Sequence, residues 1–71
     1  MAISYKKLWK LLIDRDMKKK DLIALSGISQ SSVTKMGKNE NVNTDVLVRI
    51  CQALNCDIGD ISEIILQKSN D

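Results

Sequence analysis

The sequence has no proline and no phenylalanine, and it contains only three glycines and two aromatic residues, Tyr5 and Trp9. Proline and glycine interrupt regular backbone structure, and aromatic residues are favoured in strands. Their scarcity argues against an all-β fold and favours helices. Hydrophobic residues make up 44% of the chain and charged residues 28%, which indicates a globular protein and not a disordered one. A chain of 71 residues forms one small domain of marginal stability.

Histidine is absent as well, and the two cysteines, Cys51 and Cys56, lie five residues apart. Two thiolates cannot complete the four-ligand set of a zinc site, so we expect no metal site and interpret both cysteines as small core residues. The chain also lacks a nucleophile with a base at a recognisable spacing, a phosphate-binding glycine loop and a carboxylate pair on one face. The sequence therefore predicts no enzymatic activity, no cofactor and no small-molecule substrate.

No apolar run approaches the roughly 18 residues that a membrane-spanning helix needs. The charges at Lys6 and Lys7 are not followed by the uninterrupted apolar stretch of a secretory signal. We therefore expect no membrane partner and a cytoplasmic protein.

The net charge of +2 hides a strong asymmetry along the chain. Residues 1–38 carry nine Lys and Arg against three Asp, whereas residues 39–71 carry two Lys and Arg against six Asp and Glu. A basic first half can present a positive face to a polyanion. Charge alone does not separate DNA from an anionic membrane or an acidic protein.

The spacing of apolar residues predicts five helices. Ser4, Ser29, Asn43 and Asp57 are the expected N-caps of the first, third, fourth and fifth helices, and Gly27 is the expected end of the second. The apolar positions of the fifth helix are Ile58, Ile61, Ile64, Ile65 and Leu66. The first four helices are predicted at residues 4–15, 19–26, 30–37 and 44–55, within one domain at 1–66 that is followed by a polar tail at 67–71.

The second and third predicted helices are joined by a short turn at Gly27-Ile28-Ser29. Two short helices with such a turn form a helix-turn-helix unit. In the third helix only Val33 and Met36 are apolar, and the other side chains donate or accept hydrogen bonds. These features suit a helix that lies in the major groove of DNA, where base edges present donors and acceptors.

Two runs carry a resemblance to a known family. Residues 22–36 (LIALSGISQSSVTKM) and residues 47–61 (LVRICQALNCDIGDI) resemble the lambda-repressor-like, Cro-type family of bacterial and phage regulators. The similarity covers roughly residues 5–66. It depends on the joint spacing of Leu22, Gly27, Ile28, Ser29, Val33 and the Ala53-Leu54 pair.

The resemblance implies an all-α fold of five helices whose third helix reads DNA, usually from a two-fold dimer. It places Gln30, Ser31 and Ser32 nearest the bases, and Thr34 and Lys35 against a base edge or a phosphate. It also places Cys51 and Cys56 at core positions of the family, in line with the interpretation above.

The chain departs from the family at both ends of the helix-turn-helix unit. Lys18 and Lys19 occupy positions where the family often has Thr-Gln or Asn-Gln, so the usual N-cap is missing and positive charge crowds a positive helix end. We interpret these lysines as phosphate contacts, and the alternative is a solvated basic turn. Gly37 replaces a common Glu, which predicts an early helix end from which Lys38, Asn39 and Asn41 could reach the DNA backbone.

The sequence therefore predicts a sequence-specific regulator of transcription that binds double-stranded DNA, and in the first place a repressor. Its apolar fifth helix predicts a homodimer on an inverted-repeat operator. The alternative is a protein-interaction module of the same fold, such as an antitoxin-like protein that binds a partner. The expected dimer interface consists of Ile61, Ile64, Ile65 and Leu66.

Overall fold

A computed structural model describes residues 2–66, so the predicted tail at 67–71 lies outside the described residues. Four α-helices, two short strands and one 3-10 turn follow one another along this part of the chain. Among residues 2–66 no helix is long and apolar enough to cross a membrane. In chain order the elements are β1 (Ala2–Ser4), α1 (Lys6–Asp14), α2 (Lys19–Ser26), α3 (Gln30–Gly37), α4 (Thr44–Leu54), the 3-10 turn (Ile58–Asp60) and β2 (Glu63–Ile65).

The bounds predicted for α2 and α3 are confirmed. Helix α2 ends because Gly27 adopts the left-handed conformation, with φ of 77°, and its N–H donates to the Ile23 carbonyl at 2.9 Å. Helix α3 begins after Ser29, whose Oγ accepts from the Ser32 N–H at 3.2 Å. The conformation of the turn between the two helices is therefore determined by the residues of the turn itself.

Helices α1 and α4 are slightly shorter than predicted. Ser4 belongs to β1 and is not the N-cap of α1, which begins at Lys6 after Tyr5. The Ser4 hydroxyl still accepts from the Lys6 N–H at 3.3 Å. At the other end of the fold, α4 stops at Leu54 because Asn55 adopts the left-handed conformation, with φ of 54°.

The predicted fifth helix is wrong. Asp57 caps only the 3-10 turn, and β2 follows, paired antiparallel with β1 in the register Ala2↔Ile65 and Ile3↔Ile64. A short run of isoleucines fits a strand as well as a helix, and its β-branched residues favour the strand. The partner that decides between strand and helix is β1, at the other end of the chain. The local spacing of apolar residues carries no information about so distant a partner. The fold is therefore mostly helical, with four α-helices where five were expected.

The core lies between the four helices and the start of the C-terminal segment. Ile61 belongs to it, with none of its surface exposed, so its assignment to a dimer interface is corrected. Trp9 is half-buried and packs against the core. The buried hydrophobic residues are Tyr5, Leu8, Leu12, Leu22, Ile28, Val33, Met36, Leu47, Ile50, Leu54 and Ile61.

Truncation of buried Ile61 and truncation of exposed Ile13 should have different effects on stability. Ile61→Ala should lower the free energy of unfolding by about 2–5 kcal/mol, because it leaves a cavity in the core. Ile13 on α1 is 75% exposed and lies outside the expected dimer interface, so Ile13→Ala should change that free energy by no more than about 0.5–1 kcal/mol. Urea denaturation followed by circular dichroism measures both. Equal losses in the two variants would contradict the placement of Ile61.

Candidate nucleic-acid interface

Helix α3 is held on the protein by one narrow face. Val33 and Met36 are its only buried side chains, as the sequence predicts, and they join the core that Leu22 of α2 and Ile28 of the turn also enter. The rest of α3 is exposed apart from half-buried Ser32. A helix anchored by so little of its surface leaves most of its circumference free for a ligand.

The N-terminal end of α3 carries the side chains that were expected nearest the bases. The hydroxyls of Ser31 and Ser32 lie 3.0 and 3.1 Å from the Ser29 Oγ, so both are engaged at the helix end. Gln30 is exposed, and its amide makes no hydrogen bond within the part of the chain that the structure describes. Gln30 is thus the side chain of this end whose donor and acceptor are both free.

Further along α3, Thr34 and Lys35 are exposed on the same helix. The Thr34 Oγ1 donates to the Gln30 carbonyl at 3.1 Å, which leaves the lone pairs of the hydroxyl available. Lys35 and Ser32 line one groove together with Asn41 and Asn43 from the loop that precedes α4. The structure therefore joins part of the predicted site in α3 to the loop that follows it.

The lysines at the start of α2 are exposed, and the structure shows how the helix tolerates them. The Lys18 N–H donates to the Asp21 carboxylate at 2.9 Å, so an acidic side chain in the first turn satisfies one free N–H. The Lys19 ammonium lies 4.7 Å from the centre of the Trp9 ring, a cation–π distance. Lys19 is therefore held over α1 and still faces solvent.

The loop after α3 is tied to the N-terminal segment. Asn39 adopts the left-handed conformation, with φ of 57°, and its Oδ1 accepts from the Tyr5 N–H at 3.2 Å. The Tyr5 hydroxyl donates to the Glu40 carbonyl at 3.0 Å, and burial raises the pKa of this phenol, which keeps its proton in place. Asn39, which was expected to contact DNA, thus has a structural role, whereas Lys38 is exposed.

Sequence reasoning missed three residues that shape this surface: Tyr5, Asp21 and Arg49. Tyr5 reads as an ordinary apolar position of α1, and nothing near it in the sequence indicates its contacts 34 and 35 residues away. Asp21 has a visible signal, since it lies three residues after the N-cap position. The Arg49 guanidinium pairs with Asp45 at 2.9 Å and lies beside the turn, 3.7 Å from where a Cβ on Gly27 would be.

Comparisons with known proteins agree with this geometry. Residues 7–67 match the Cro/C1-type helix-turn-helix DNA-binding domain. The crystal structure of the transcriptional regulator VanUg, form II, is 57% identical in sequence and superposes with a TM-score of 0.87, over 93% of this chain and 88% of that one. None of the curated proteins is a significant match.

The family match spans most of the chain, and it includes both the α2–turn–α3 unit and α4. The resemblance that the sequence shows to Cro-type regulators is thereby confirmed. This chain belongs to the Cro/C1-type helix-turn-helix family of DNA-binding domains.

Proposed function

We propose that the protein is a sequence-specific regulator of transcription, in the first place a repressor, that lays α3 in the major groove of double-stranded DNA. The observation that carries this proposal is the attachment of α3, which is anchored by Val33 and Met36 alone and presents polar side chains elsewhere. The 57% identity to VanUg, a transcriptional regulator, supports the regulatory role. That the protein has no enzymatic activity and that it is cytoplasmic remain predictions.

In this proposal, different residues read the bases and contact the DNA backbone. Gln30 has a free amide, and such an amide can make a paired donor–acceptor contact with adenine. Ser31, Ser32, Thr34 and Lys35 extend this face along the groove. Exposed cations and amides on either side of α3 contact phosphates without reading sequence: Lys18, Lys19, Lys38 and Asn39.

We further propose that two copies bind DNA as a two-fold dimer through the apolar C-terminal strand. Ile64, Ile65 and Leu66 are 59, 45 and 71% exposed, respectively. Within residues 2–66, β2 pairs with β1 alone, so its other edge presents unpaired backbone groups. An antiparallel strand pair is self-complementary about a two-fold axis, which makes a second copy a fitting partner. Such a dimer would bind an inverted repeat with half-sites about 34 Å apart.

The second candidate function is a protein-interaction module of the same fold, such as an antitoxin-like protein. The same exposed strand favours it, because a free strand edge also accepts a strand from another protein. Heparin chromatography separates the two functions. A DNA-binding surface should retain the protein with a steep dependence on salt, whereas a purely protein-binding surface should not.

Gln30 should carry specificity. Gln30→Ala should weaken binding to the preferred duplex by about 1–3 kcal/mol and leave binding to random-sequence DNA nearly unchanged, because only the base contact is lost. Fluorescence anisotropy at fixed salt measures both affinities. Equal weakening on the two kinds of DNA would contradict the role of Gln30 in base reading.

Lys19 should carry affinity without specificity. Lys19→Ala should weaken binding to all duplexes alike and reduce the slope of log K against log salt by roughly one unit per protomer, because one phosphate contact is lost. Lys10→Ala, an exposed lysine of α1 outside the helix-turn-helix unit, is the matched control and should leave the slope unchanged. If Lys19→Ala does not alter the slope, the lysines at 18–20 form a solvated turn and do not contact phosphates.

The dimer is tested by a charge on β2. Ile65→Glu should turn a dimer into a folded monomer in sedimentation, because a carboxylate cannot be buried unpaired in an apolar interface. Ile13 on α1 is 75% exposed, so Ile13→Glu is a matched control that should remain dimeric. A wild-type protein that is monomeric at high micromolar concentration would rule out this dimer. Circular dichroism checks that the variants are folded.

A further inference from the structure

The end of α4 brings the two cysteines together. The Cys51 carbonyl accepts from the Asn55 N–H and also from the Cys56 N–H, the latter at 3.0 Å. A bond from the sixth residue back to the first, around a left-handed fifth residue, is the mark of a Schellman motif. The side chains of the first and sixth residues commonly touch in this motif. Here both side chains carry thiols.

Both thiols are free and half-buried, and they line one groove on the protein surface. Burial, reinforced by the neighbouring Cys56 thiol, raises the pKa of Cys51 to about 11, which agrees with direct proximity of the two groups. We call this surface the thiol groove. Its lining residues are Leu47, Val48, Cys51, Gln52, Asn55, Cys56, Asp57 and Ile58.

We propose that Cys51 and Cys56 form a reversible intramolecular disulfide by exchange with a low-molecular-weight disulfide. The pair lies outside the proposed DNA contacts, since no residue of α3 lines the thiol groove. The proposal therefore does not depend on the proposed function.

The exchange proceeds in two steps that balance. Cys56 loses its proton to solvent, and its thiolate attacks one sulfur of the small disulfide, which breaks that S–S bond and releases one small thiolate. Cys51 then loses its proton to solvent, and its thiolate attacks the Cys56 sulfur of the mixed disulfide and expels the second small thiolate. Both small thiolates take up the released protons from solvent. Two protein thiols are oxidised, and the small disulfide is reduced to two thiols.

The backbone around Cys51 and Cys56 favours closure of this bond. The backbone hydrogen bond between Cys56 and Cys51 already holds the two residues together, so closure requires little rearrangement of the helix end. The new bond would tie the last turn of α4 to the segment that leads to the 3-10 turn and β2. Such a link restricts the unfolded chain and should therefore stabilise the fold.

The experiment treats the whole chain with excess oxidised glutathione and follows intact mass, free thiols and thermal unfolding. The expected product is a single chain without an intermolecular disulfide that is about 2 Da lighter, has lost both titratable thiols and unfolds about 4–8 °C higher. Dithiothreitol should restore all three values. The closure step should accelerate as pH rises, because burial raises the pKa of Cys51 and a higher pH increases its thiolate fraction.

A single serine variant separates the two steps. Cys51→Ser should stop at a stable glutathione adduct on Cys56, since the second thiol is missing. A wild-type chain that also stops at glutathione adducts would overturn the proposal, as would one that forms disulfide-linked dimers in non-reducing electrophoresis. The wild-type mass alone decides the matter if the variant does not fold.

Discussion

The attachment of α3 through Val33 and Met36 is the contact on which the whole surface depends. These two side chains are buried and hold the helix against the core, and they are one turn apart on a single face. A broader apolar face would have buried the polar side chains of α3, and a narrower one would not have fixed its orientation. The short turn at Gly27 and the cap at Ser29 determine where the helix starts. Orientation and start together decide which side chains face away from the protein.

The N-terminal segment stabilises this arrangement from a distance. Tyr5 is buried and bonds to both Asn39 and Glu40, in the loop that directly follows α3. Since β1 precedes Tyr5 and pairs with β2, the strand proposed as the dimer interface is connected through one residue to the end of the proposed recognition helix. A dimer contact on β2 and a DNA contact on α3 would thus be positioned by the same piece of chain.

Local signals in the sequence were sufficient for the helix-turn-helix unit and insufficient for the two ends of the chain. Glycine in the left-handed conformation and serine as an N-cap act on their immediate neighbours, so they can be read without knowledge of the fold. The pairing of Ile64 with Ile3 and the bond from Tyr5 to Asn39 join distant residues, which periodicity cannot reveal. The same limit explains why Ile61 was assigned to an interface. The sequence of an apolar run does not indicate which of its isoleucines enter the core and which stay exposed.

We propose that α3 reads the sequence of double-stranded DNA, and selection of bound duplexes from a random pool tests this role. The selection is carried out with the whole chain at near-physiological salt. One sequence with two inverted half-sites, whose centres lie about one helical turn of DNA apart, should be enriched. Recovery of an unenriched pool, bound with a steep dependence on salt, would show that the basic surface holds DNA without reading it, and α3 would then have no role in specificity.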